Sequence, residues 1–175
     1  MLDHVDATFP TGLTLLTGPS GVGKSTLLRI LATADRPGSG EVHWKGKRID
    51  KHPRPYRAVL GYAPQIVDLP ETLTAREFGA YVAAMKGLEA RDAAAQFAHI
   101  LERMGLAPDA GRAIAGWSGG MRRRLVTAQA LLGDPQAIML DEPTAELDAD
   151  TAAITHELLF ERAEHATVVM TTHLA

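Results

Sequence analysis

Gly18-Pro19-Ser20-Gly21-Val22-Gly23-Lys24-Ser25-Thr26 decides the reading of this chain, because it fits G-x-x-x-x-G-K-[ST], the pattern of a phosphate-binding loop. Before it runs Gly12-Leu13-Thr14-Leu15-Leu16-Thr17, short and apolar, which reads as a buried strand. After it, Leu27-Leu28-Arg29-Ile30-Leu31 carries apolar residues at helical spacing. The motif therefore has the strand–loop–helix setting its chemistry requires. Gly18, Gly21 and Gly23 let the backbone turn tightly and aim N–H groups at phosphate oxygens. Pro19, Ser20, Val22 and Thr26 complete the nucleotide-binding stretch. A helix opening near Lys24 adds partial positive charge at its N-terminus, and Lys24 brings a full charge to the terminal phosphates. The Ser25 hydroxyl is placed to ligate Mg²⁺.

The 175 residues suit one domain with a sizeable core. Hydrophobic residues make up 46% and charged ones 22%, an ordinary globular balance. A formal net charge of -3 creates no strong field toward nucleic acid. Cysteine is absent, which excludes disulfides. No apolar run approaches a membrane span, and Met1-Leu2-Asp3-His4 lacks the basic start of a signal peptide. The expectation is a soluble, cytoplasmic protein that reaches a membrane only through a partner.

Working outward, Asp3, His4 and Asp6 alternate with Val5 and Ala7, weakly like an edge strand. The helix after the loop should end near Thr33-Ala34, because Pro37-Gly38-Ser39-Gly40 is a turn. Glu41-Val42-His43-Trp44-Lys45 alternates as a strand ending at Gly46. Lys47 to Arg57 is basic and holds Pro53 and Pro55; it reads as a solvated loop rather than a site for an anionic partner. Val59-Leu60-Gly61-Tyr62-Ala63 is a strand closed by Pro64-Gln65. From Thr74 to Leu106 the pattern is helical. Thr74 and Glu77 have capping-box spacing, and Phe78, Tyr81, Val82 and Met85 form a packing face up to Gly87. A second helix from about Arg91 to Met104 turns Phe97, Ile100, Leu101 and Met104 inward. Ser118 caps a third helix through Leu132, stopped by Asp134-Pro135. Gln136 to Leu140 is a buried strand, Asp148 to about Glu164 a helix, and Thr167-Val168-Val169-Met170-Thr171 the last strand.

Two further constellations carry chemistry. Ala137-Ile138-Met139-Leu140-Asp141-Glu142 is an apolar strand ending in two carboxylates. It delivers Asp141 beside the phosphate loop as a Mg²⁺ ligand, and puts Glu142 where it can polarise an attacking water. Trp117-Ser118-Gly119-Gly120-Met121 opens the helix carrying Arg122-Arg123-Arg124, and a serine and two glycines at a helix start form a second anion site. One triphosphate rarely needs two such sites, which hints at a dimer in which this one serves a nucleotide bound by the other subunit. The three arginines read as a solvated or packing face rather than a phosphate clamp.

In this order the motifs resemble the ATPase subunit of an ATP-binding cassette (ABC) transporter, particularly those driving exporter-type permeases. The phosphate loop at 18–26, Gln65 in Tyr62-Ala63-Pro64-Gln65, Ser118-Gly119-Gly120, Asp141-Glu142, Glu146-Leu147-Asp148 and His173 carry the likeness, over nearly the whole chain. The resemblance implies an α/β P-loop NTPase fold. Its mostly parallel core covers about 1–71 and 131–175, with an inserted helical subdomain near 72–130 and an incomplete antiparallel β subdomain. It implies that Gln65 senses the γ-phosphate and Mg²⁺ and faces a transmembrane permease, that Asp148 communicates across a head-to-tail homodimer, and that His173 contacts the γ-phosphate. Glu142 is then the general base for water, with Lys24, Gln65 and His173 beside it in catalysis. ATP and Mg²⁺ are the implied ligands, and no direct nucleic acid contact is expected. Departures from the family pattern are Trp117 for Leu and Met121 for Gln around the signature. The family's upstream adenine-stacking aromatic and its residues beyond the switch His are also missing, so the chain reads as a fragment or truncated product. Phe9 reads as a core residue of the first strand. Rivals are a soluble ABC-type ATPase acting on nucleic acid or ribosomes, or a truncated non-hydrolysing copy. A small-molecule P-loop kinase would leave Ser118-Gly119-Gly120 and His173 unexplained.

Overall fold

The computed structural model describes residues 2–66 and 68–172. Strands β1 (Gly12–Leu16), β4 (Leu60–Ala63), β5 (Ala137–Leu140) and β6 (Thr167–Thr171) form one parallel sheet in the order β1-β6-β5-β4. Strands β2 (His43–Trp44) and β3 (Lys47–Arg48) pair antiparallel beside it. The helices are α1 (Lys24–Leu31), α2 (Arg54–Arg57), α3 (Ala75–Lys86), α4 (Ala90–Arg103), α5 (Gly119–Leu131) and α6 (Ala149–Ala163).

The two inner strands β5 and β6 are buried at every position, as a parallel sheet covered on both faces demands. Strand periodicity then separates two cores. Ile138, Leu140, Val168 and Met170 pack with Leu125 and Leu131 of α5, Leu158 and Leu159 of α6, and the inward faces of α3 and α4. Ala137, Met139 and Val169 on the opposite face pack with Leu28 and Ala32 at α1, and with Ile49 and Tyr56. The helices of the 75–131 stretch thus share one continuous cluster with the sheet.

Local chemistry explains the helix starts. Thr74 and Glu77 form a reciprocal capping box: the Glu77 N–H donates to Thr74 Oγ1 at 3.2 Å and the Thr74 N–H to Glu77 Oε2 at 2.8 Å. Side-chain bonds fasten the helical stretch to the rest. Lys86 Nζ donates to the Leu132 carbonyl at 2.7 Å, the Gly133 N–H donates to Gln96 Oε1 at 2.8 Å, and Arg103 grips Glu161 of α6 with both terminal nitrogens. Burial pushes the Lys86 ammonium down to about 8.

Several expectations change. Residues 2–10 form no strand, and Phe9 is an aromatic packed against the second cluster ahead of β1. The 47–57 segment is an ordered unit: β3 and α2 frame buried Ile49 and Tyr56, and Tyr56 lies 5.5 Å from Trp44, centroid to centroid. Two of its cations are held locally, since Arg48 pairs with Asp50 and Glu41 and Arg57 donates to Thr33. The periodicity hid this because the buried residues there are spaced by turns. On α3 the packing face is Ala75, Phe78, Gly79 and Ala83, while Tyr81 and Met85 are 56% and 72% exposed. Gly79 explains the rotation: a Cβ there would meet the Phe97 ring at 2.1 Å, so α4 packs directly on the α3 backbone. α1 ends at Leu31, with Thr33 in the left-handed region just beyond.

Candidate active site

The carboxyl ends of β1, β4, β5 and β6 lie side by side, and each is followed by a residue of interest. Parallel α/β sheets bind ligands at this edge. The loop after β1 uses its glycines for conformation: Gly18, Gly21 and Gly23 have φ of 140°, 79° and 108°, which side-chain-bearing residues rarely adopt. Gly23 is the N-cap of α1, and no side chain caps that helix start. Pro19, Ser20, Val22 and Thr26 are exposed around it. Lys24 Nζ folds back over the loop, donating to the carbonyls of Gly18 at 2.6 Å and Pro19 at 3.1 Å. These contacts hold the ammonium at the mouth of the loop.

A connected set of hydrogen bonds runs from α1 across the strand ends. Ser25 Oγ donates to Asp141 Oδ1 at 3.1 Å. Thr171 Oγ1 donates to the same oxygen at 2.6 Å and accepts the Glu142 N–H at 2.9 Å. Gln65 Nε2 donates to Glu142 Oε2 at 3.2 Å. Asp141 is buried, and its own N–H donates to the Ala63 carbonyl at 2.8 Å, extending the β4–β5 pairing by one residue. Ser25 and Asp141, a directly bonded pair, are 116 positions apart in the chain. Thr171 and Arg123 were missed from sequence. Arg123 Nη1 donates to the Gln65 carbonyl at 2.9 Å, tying that loop to α5. The signal for Thr171 was a hydroxyl ending an otherwise apolar strand; for Arg123 there was none.

The signature stretch meets other neighbours. Ser118 Oγ accepts the Met121 N–H at 3.2 Å as the cap of α5, which leaves its hydroxyl hydrogen able to donate. Gly119 and Gly120 face Glu146 and Leu147: a Cβ on Gly120 would meet Leu147 Cδ2 at 3.4 Å. Asp148 caps α6, accepting the Thr151 N–H at 2.9 Å and its hydroxyl at 2.8 Å, and these bonds lower its carboxyl pKa. Trp117 is buried in the first cluster. The three arginines serve packing: Arg122 donates to Glu71 and the Ala115 carbonyl, Arg123 to the Gln65 carbonyl, and Arg124 to the Met104 carbonyl. α5 and α1 cover opposite faces of the sheet, so the structure brings the signature to the 146–148 turn and Lys24 to Asp141 through Ser25. His173 lies outside the described residues.

Among the described residues no cluster of His, Cys, Asp and Glu is able to cage a metal. Ser25 Oγ and Asp141 Oδ1, hard oxygens 3.1 Å apart, instead fit Mg²⁺, which takes one or two protein oxygens and completes its shell with phosphate and water.

A family model described as ABC transporter matches residues 2–145. The chain belongs to the ABC transporter family. It is 40% identical to a sulfate/thiosulfate import ATP-binding protein of Mycolicibacterium paratuberculosis, over 98% of this chain and 48% of that protein. It is 35% identical to a lipoprotein-releasing system ATP-binding protein of Rhodopirellula baltica, over 99% of this chain and 73% of the relative. The chain spans about half the length of several curated relatives it matches. Among solved structures, a dimeric post-hydrolysis state of an ATP-binding cassette bound to ADP and Pi superposes with a TM-score of 0.90 at 28% identity, over 98% of this chain and 79% of that one. Among the described residues no helix is long and apolar enough to cross a membrane.

Proposed function

We propose that this chain is the ATP-binding and ATP-hydrolysing part of an ABC transporter, driving a separate membrane permease from the cytoplasmic face. The observation that carries the reading is the bonded set Ser25–Asp141–Thr171–Glu142–Gln65, gathered from four segments beside a phosphate loop. Such a set has no structural need for two carboxylates and a glutamine, but it has the parts a phosphoryl-transfer site uses.

In this reading the loop N–H groups and Lys24 bind the triphosphate, with Lys24 exchanging its carbonyl contacts for phosphate. Ser25, Asp141 and Gln65 hold Mg²⁺, which when bound neutralises charge on the phosphate oxygens. Glu142 takes the proton of the attacking water while Gln65 holds its carboxylate in line; positioning and electrostatics supply most of the rate. Two cassettes pair head to tail, so that Ser118 and Gly120 of one meet the nucleotide bound by the other, with Asp148 at the turn between them and His173 at the γ-phosphate. The permease docks near Gln65 and against the helical subdomain near 72–130, where α3 exposes Tyr81 and Met85. ATP with Mg²⁺ is the expected ligand and nucleic acid is not.

The test pairs two variants in a fluorescent-nucleotide titration with sedimentation of the ATP-bound protein. Lys24→Ala should lose tight ATP binding. Ser118→Arg should keep it and lose ATP-dependent pairing. Unchanged ATP affinity in Lys24→Ala would overturn the site, and equal loss of binding in Ser118→Arg would overturn the dimer.

A further inference from the structure

We propose that Thr171 is a positioning residue for the cation and the water-activating carboxylate, a role that rests on the nucleotide-site reading above. The residue is 1% exposed, and its single hydroxyl does two things at once. It donates to Asp141 Oδ1 at 2.6 Å, a short charge-assisted bond, and it accepts the Glu142 N–H at 2.9 Å. The register explains the reach. Leu140 pairs with Met170 and Leu16 with Thr171, so Thr171 stands between the strand that enters the phosphate loop and the strand that ends in the two carboxylates.

Both bonds have a consequence for the site. Thr171 and Ser25 converge on the same oxygen of Asp141, which holds Oδ1, the oxygen beside Ser25 Oγ, between β6 and the start of α1. Glu142 has φ of 52°, a conformation a β-carbon disfavours and which persists only where surrounding contacts over-determine it. The Thr171 oxygen supplies one such contact at the Glu142 amide. That backbone conformation aims the carboxylate at Gln65, 3.2 Å away. A valine at 171 would fill the same volume and lose both bonds.

The experiment compares the full chain with Thr171→Val and Thr171→Ser. ATP affinity is measured by titration in EDTA, Mn²⁺ affinity in the presence of ATP by electron paramagnetic resonance, and folding by urea midpoint. Partners behind metal ligands typically change affinity by about 10- to 100-fold. Thr171→Val should weaken Mn²⁺ by that factor, leave ATP affinity in EDTA unchanged, and lower kcat more than it raises KM for ATP. Thr171→Ser should restore Mn²⁺ affinity. Equal Mn²⁺ affinity in Thr171→Val, or a parallel loss of ATP affinity in EDTA, would overturn the proposal. Failure of the parent chain to bind ATP would instead overturn the nucleotide-site reading itself.

Discussion

Gly61→Ala should unfold this protein at a markedly lower temperature, and the size of the effect follows from one contact. Gly61 lies in β4 directly under α5. A Cβ there would meet the Ala130 carbonyl oxygen at 1.9 Å, its carbon at 2.9 Å and Pro135 Cγ at 3.2 Å. Real Cβ contacts stop near 3.0 Å, so β4 and α5 must part by roughly 1 Å, and neither obstacle is a flexible side-chain tip. Overpacking costs about 1–3 kcal/mol, and a main-chain carbonyl together with a rigid proline ring places this case at the upper end. The same separation stretches the bond from Gln129 Nε2 to the Tyr62 carbonyl, now 2.6 Å, which contributes about 1 kcal/mol more. A loss of about 4 kcal/mol corresponds to a fall in Tm of roughly 8–16 °C for a chain of this size. Thermal unfolding followed by far-UV circular dichroism measures it. Gly111→Ala is the control, since an added Cβ there meets nothing within 4 Å. A Gly61→Ala midpoint indistinguishable from that control would refute the close α5–β4 packing from which the argument starts.

Glu142→Gln should keep ATP binding and lower phosphate release by about 10²- to 10⁴-fold, the usual contribution of a positioned base. Normal turnover would move that role elsewhere, with His173 the next candidate. Lys86 predicts a pH dependence. Its folded value of about 8 lies below the unfolded value of about 10.4, so between the two the unfolded chain holds a proton the native chain has released. Stability should therefore rise with pH across that window, by on the order of 2–3 kcal/mol. Lys86→Met should flatten the rise in urea midpoints taken from pH 7.5 to 10, and an identical slope in the variant would contradict the burial of this ammonium.

Much of the fold was legible because its signals are local. The phosphate loop, the capping box at Thr74 and Glu77, the cap at Ser118, the helix start at Asp148, and the apolar runs at 137–140 and 167–171 each depend on residues within a turn or two of one another. Motif order along the chain was enough to reach the family. Sequence periodicity failed where burial depends on a distant neighbour. Tyr81 and Met85 sit at helical spacing with Phe78, yet only the close approach of Phe97 to Gly79 decides which stripe of α3 is covered. The 47–57 segment reads as polar because its apolar residues are few, and it is ordered because Tyr56 and Ile49 reach the second core. The site divides in the same way. Lys24, Ser25, Asp141 and Glu142 announce their chemistry by residue type and spacing. The hydroxyl of Thr171, the left-handed backbone at Glu142 and the grip of Arg123 on Gln65 depend on strand register and on the packing of α5, which no stretch of sequence contains by itself.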